Sequence, residues 1–104
     1  MAHDLCEKTA GLASRVNNLA INQTGDDSRR LLEEQDRLRD LTLAAIVKDL
    51  NEEHKDYIAA MAGLDSAMEY IGNADKKIDK VAKAINLVKK AADLVEKALK
   101  MAAK

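Results

Sequence analysis

The chain has 104 residues, with no proline, phenylalanine or tryptophan, four glycines, and only Tyr57 and Tyr70 as aromatic side chains. Apolar residues make up 47%, of which 18 are alanine, and charged residues make up 34%, against a usual ~25%. These counts argue against a β-sandwich or barrel, which needs β-branched and aromatic strands and many turns. They also argue against an oligonucleotide-stacking module and a compact enzyme around a deep pocket. An all-α chain of one elongated domain, residues 1–104, is the expectation.

The formal net charge of −1 divides unevenly. Residues 1–72 carry 8 Lys/Arg and 14 Asp/Glu, and residues 73–104 carry 9 Lys and 4 Asp/Glu. Segments of opposite charge favour folding back on each other or pairing between chains. Cys6 is the single cysteine, so no internal disulfide is available and a buried, inert thiol is expected. No signal-like or membrane-length apolar run is present, which makes a cytoplasmic setting the expectation.

A first helix is expected over about 4–23. Asp4 and Glu7 have capping-box spacing, and Leu5, Thr9, Leu12, Val16 and Leu19 recur on one face. The run 22–28 gathers turn and cap formers, with Asp26, Asp27 or Ser28 expected to cap the next helix.

A second helix is expected over about 27–71, with no proline to interrupt it and ~65 Å long at the usual rise; a break near residues 40–43 is the alternative. Leu43, Leu50, Tyr57, Leu64 and Ile71 lie seven apart; Val47, His54, Met61 and Met68 interleave four residues later. That is a coiled-coil seam. Upstream, Leu31, Leu38 and Ala45 form a second line, which in a continuous helix points ~120° away from the seam.

Gly72 suits a helix C-cap and Asn73 or Asp75 a new start. The third helix is expected over about 75–103, turning back antiparallel on the second. Ile78, Val81, Ile85, Val88, Ala92, Val95, Leu99 and Ala102 form one seam. Ala84, Leu87, Ala91, Leu94, Ala98 and Met101 form another, opposite a lysine column at 76, 83, 90, 97 and 104. A helix with two seams calls for two neighbours. The expected architecture is therefore an antiparallel three-helix array assembled as a homo-oligomer, a dimer being favoured. A compact bundle is the alternative, and it requires the long helix to break.

No catalytic, cofactor or metal site is expected. His54 has no histidine or glutamate at metal-ligand spacing and reads as a polar seam residue that sets register. Asp49, Glu52, Glu53 and Asp56 read as a solvated face. Arg29, Arg30, Arg37 and Arg39 interleave with Glu33, Glu34, Asp36 and Asp40, so local salt bridging is expected over nucleic-acid binding. The expected function is a non-enzymatic interaction, adaptor or chaperone-like protein. Its surfaces would be the seam from Leu43 through Met68 and the third helix from Ile78 through Met101, offered to a second copy or a protein partner. The alternatives are a membrane-active amphipathic helix and a small nucleic-acid-binding dimer.

Overall fold

The structure, a computed structural model, describes residues 3–47, 52–73 and 81–101. Among them the chain forms four helices and no strand: α1 (His3–Ile21), α2 (Gly25–Ile46), α3 (Lys55–Asn73) and α4 (Val81–Met101). The all-α expectation holds, but the three-helix arrangement does not. The expected helix over 27–71 is two helices, and the molecule measures 42 × 20 × 17 Å, too short to contain a ~65 Å rod.

The stripes explain the break. Leu31, Leu38 and Ala45 are fully buried, as are Ala60, Leu64 and Ala67, with Tyr57 and Ile71 nearly so. An unbroken helix would aim these two sets ~120° apart. Reversing the chain between residues 46 and 55 lets both face one core. Leu43 and Val47, expected in the seam, are instead 59% and 82% exposed. Leu50 lies outside the described residues.

A cap rather than a glycine or proline marks the restart. The Asp56 backbone N–H donates to His54 Nδ1 at 3.0 Å, and the Ile58 N–H donates to the His54 carbonyl at 3.1 Å. His54 thus satisfies one of the orphan donors of α3. This corrects its expected place in a helical seam.

The first turn also differs from expectation. Thr24 is the N-cap residue of α2 and makes no side-chain cap bond. Gly25 opens the helix with φ +67°, a conformation that glycine adopts without a Cβ penalty. Ser28 Oγ instead donates to the Ala20 carbonyl at 3.1 Å, tying the end of α1 to the first turn of α2. Asp26 and Asp27 still sit in that first turn, where the helix dipole favours them. Gly72 lies inside α3 rather than capping it, and a Cβ there would stand 2.8 Å from Arg15 Nη1. Ile78 and Asp75 lie outside the described residues.

Contacts fix the helix directions. Cys6 meets Thr42 and Ala20 meets Ser28, so α1 and α2 are antiparallel. Gly63 meets Leu94 and Tyr70 meets Lys83, so α3 and α4 are antiparallel too. Between these hairpins, Lys8 pairs with Asp65, Gly11 faces Met68 and Arg15 faces Gly72. Each pair is 57 residues apart, so α1 and α3 run parallel. The same offset sets Arg37 of α2 between Asp93 and Glu96 of α4. Two antiparallel hairpins therefore lie side by side, α1 on α3 and α2 on α4.

The core between them is thin and rich in alanine. Leu5, Leu12, Val16, Val88 and Val95 are fully buried beside Ala84, Ala91 and Ala92. Small residues bring helix axes close, and close packing maximises dispersion contacts. Thr9 is the buried polar member of α1, and its hydroxyl donates to the Leu5 carbonyl at 2.7 Å, leaving no orphan hydroxyl.

Candidate interaction surface

Each hairpin keeps an outer face. On the second, α3 supplies Ala59, Ala62, Gly63 and Ser66, which recur at i, i+3, i+4 and i+7. They face Leu87, Lys90, Ala91 and Leu94 of α4 across an open groove of about 320 Å³. Gly63 shapes it: a Cβ there would lie 2.7 Å from Leu94 Cδ1, so only glycine leaves Leu94 its present position. Leu87 and Leu94 are half-buried. Along the helix, Lys83 stands 5.1 Å from the Tyr70 ring centroid, a cation–π distance.

On the first hairpin the groove between α1 and α2 is more polar. Ala10, Ala13, Ser14 and Asn17 face Gln35, Arg39 and Thr42 across about 380 Å³. The pentapeptide Ala-Gly-Leu-x-Ser occurs at 10–14 and again at 62–66. In both copies the leucine is fully buried and the alanine and serine line an outer groove.

Two polar clusters tie the helices together. Arg37 Nη2 donates to Asp93 Oδ1 at 2.6 Å and to Glu96 Oε1 at 2.8 Å. Burial works against the Arg37 cation, but these two bonds together with the Asp93 and Glu34 charges outweigh it and raise its pKa above the usual value. Glu34 Oε1 lies 3.9 Å from Arg37 Nη1 and accepts no hydrogen bond. Burial pushes the Glu34 carboxyl above its usual range, although Arg37 and Lys89 pull the other way. In the second cluster Asp56 is 8% exposed, with Oδ1 3.9 Å from Lys97 Nζ and Oδ2 3.8 Å from His54 Nδ1. Among the described residues no three His, Cys, Asp or Glu side chains converge in a way that could hold a metal ion. Tyr57 is nearly buried, and burial together with the Asp4 charge raises its pKa against the lowering effect of the Leu5 backbone.

The structure divides the expected surface residues sharply. Tyr57, Leu64, Val81, Ile85, Val88, Val95 and Leu99 are buried within the chain itself. Met61 and Met68 pack partly against the same core. Leu43 and Val47 face solvent, Leu87 and Leu94 wall the groove, and Met101 ends α4. The arginine run pairs locally as expected at Arg29 with Asp26 and Glu33, and at Arg39 with Asp36. Arg37 keeps a local partner in Glu34 and also crosses to Asp93 and Glu96 of α4. The small-residue stripe of α3 went unread in the sequence; its signal was the four small residues at helical spacing opposite Tyr57 and Leu64.

No protein-family description, curated protein or solved structure matches this chain. Among the described residues no helix is long and apolar enough to cross a membrane.

Proposed function

We infer that the protein is a non-enzymatic interaction module whose outer α3–α4 face receives an amphipathic helix of a protein partner. One observation carries this reading. The groove has a floor of small residues and walls of half-buried Leu87 and Leu94, with Lys90 at its edge. An apolar helix ridge flanked by acidic residues complements that shape and charge, the helix-in-groove mode of recognition.

The alternatives receive less support. Val88, Ala91, Ala92 and Val95 of α4 are fully buried, so membrane insertion requires that helix to leave the core. Arg29, Arg37 and Arg39 are all engaged by carboxylates, which competes with phosphate binding.

A photo-cross-linking residue at Ser66, compared with one at exposed Glu7 on α1, tests the reading in cells. The expected result is a discrete protein adduct from position 66 and none from position 7. Equal labelling from both positions, no protein adduct, or adducts to nucleic acid or lipid alone would contradict it.

A further inference from the structure

The outer edge of α2 carries a stripe that complements its own reversal. Leu32, Asp36, Arg39 and Leu43 follow one another at intervals of four, three and four, and at the helical period they fall within about 60° of one another around the axis. Arg29 and Ile46 extend the stripe by three residues at either end. All six side chains are exposed, and the apolar members Leu32, Leu43 and Ile46 are 43%, 59% and 61% exposed. They lie away from Arg37, which marks the side turned toward α4.

An isologous contact sets a patch against its own copy, so the patch must be self-complementary. Two copies of α2 laid antiparallel about an axis between residues 37 and 38 meet this demand. Leu32 then lies level with Leu43 of the second copy, and Asp36 with Arg39 of the second copy; the axis repeats both pairs. Ile46 lies level with Arg29 of the second copy, whose methylene stem covers apolar surface. Gln35 and Thr42, both uncharged, occupy the flank toward α1, where they line one groove with Ala10, Ala13 and Ser14. The like charges Glu33 and Asp40 stand about 80–100° round from Leu32, on the side of Arg37 and outside the contact. The α4 stripe fails the same test: reversed on itself, it sets Lys83 against Lys97 and Lys90 against Lys90 of the copy.

We propose that the protein forms a reversible isologous dimer in which α2 packs antiparallel on α2 of a second copy, centred between residues 37 and 38. Leucine meets leucine and acid meets base in the same register, which is what selects a second copy as the occupant. Within one chain Arg39 Nη2 stands 3.6 Å from Asp36 Oδ1, with the two side chains 68% and 69% exposed. Such a pair is worth little on the surface and exchanges partners at little cost. The 22 residues of α2 span ~33 Å, and a contact one helix wide buries less than the ~800 Å² per partner of a standard interface. The dimer is accordingly weak and concentration-dependent. It closes at two chains, because the axis uses the patch of both copies. The α3–α4 groove stays open in it, so the proposal stands apart from the docking role above.

Sedimentation equilibrium from micromolar to millimolar chain tests it, with circular dichroism confirming the fold of each variant. The mass of the wild-type chain is expected to climb toward two chains and no higher. D36R leaves the centre of the stripe wholly basic and R39D leaves it wholly acidic, so each variant alone is expected to stay at one chain over the same range. Mixed in equal amounts they regain the dimer, because each arginine then meets an aspartate across the axis. D36R/R39D exchanges the two charges within one chain and dimerises like wild type, whereas L43E, which sets a charge against Leu32 of the second copy, does not dimerise. A wild-type chain that is monomeric throughout, a mass that passes two chains, single charge variants that associate like wild type, or a mixture that stays monomeric would overturn the proposal.

Discussion

Arg37 on α2 donates to Asp93 on α4 at 2.6 Å, across the seam between the two hairpins. It also reaches Glu96 at 2.8 Å and stands beside the buried oxygen of Glu34. Replacing Arg37 with methionine keeps much of the stem packing and removes the charge. The Arg37 and Asp93 side chains are 31% and 69% exposed, which screens the pair to about 1 kcal/mol or less. Glu34, left without its cation, adds to the loss. Urea unfolding is expected to shift to lower midpoint with the slope unchanged; no shift would show that the bridge holds nothing together.

Glu34 supplies a pH signature. Its folded pKa is raised above the ordinary value of 4.5, mainly by burial. For an acid raised on folding, the stabilising contribution is full below the unfolded value and disappears as pH rises through the folded one. At neutral pH the charged group therefore costs stability. Glu34→Gln is expected to raise the urea midpoint at pH 7, with the gain shrinking toward pH 4. A gain that grows on acidification would refute the assignment.

His54 and its cap give a test at the restart of α3. His54→Ala removes the acceptor for the Asp56 N–H, a loss of ~1 kcal/mol on the usual scale of N-cap truncations. His54→Asn restores an acceptor of preferred type and is expected to recover most of that. If both variants lose equally, the imidazole acts through packing rather than capping.

The break between α2 and α3 is testable by two leucines. Leu38 is fully buried, and Leu43 is 59% exposed. Leu38→Ala is expected to cost ~3 kcal/mol, as in other core truncations, and Leu43→Ala under ~0.5 kcal/mol in a monomeric chain. A continuous coiled-coil helix would make Leu43 a seam residue and give it a comparable loss.

Helix type was legible from composition and spacing, because buried positions at 5, 12, 16 and 19, and again at 88, 92, 95 and 99, keep the helical period. The reversal after Ile46 was not. No glycine or proline marks it, and the cap at its far side is a histidine, which is an uncommon N-cap. The phase jump between Ala45 and Tyr57 was the one local sign, and it fits either a helix with two faces or two helices. Charge was legible in sum but not in pairing. Lys97 approaches Asp56 in the expected basic-to-acidic sense, whereas Arg37 reaches from the acidic section to acids on the basic helix. The groove was hidden because small residues carry little hydrophobic signal, and the meaning of Gly63 depends on Leu94, thirty-one residues away.

Gly63 separates groove shape from fold stability. Glycine within a helix costs about 0.5–1 kcal/mol relative to alanine. Gly63→Ala removes that cost, but its Cβ meets Leu94 Cδ1 at 2.7 Å. The struck atom is the end of a flexible side chain, so Leu94 rotates and the fold survives. The backbone of Ala91, 3.6 Å from the same point, is at ordinary contact distance and does not yield to anything larger. Gly63→Ala is therefore expected to unfold within ~1 kcal/mol of wild type while its partner binding through the groove weakens severalfold. Gly63→Leu is expected to lose ~1–3 kcal/mol by overpacking against Ala91. Thermal unfolding and the Ser66 cross-linking yield, measured on the same variants, decide the matter. Unchanged cross-linking in a stable Gly63→Ala protein would mean that partners do not read the groove Leu94 shapes.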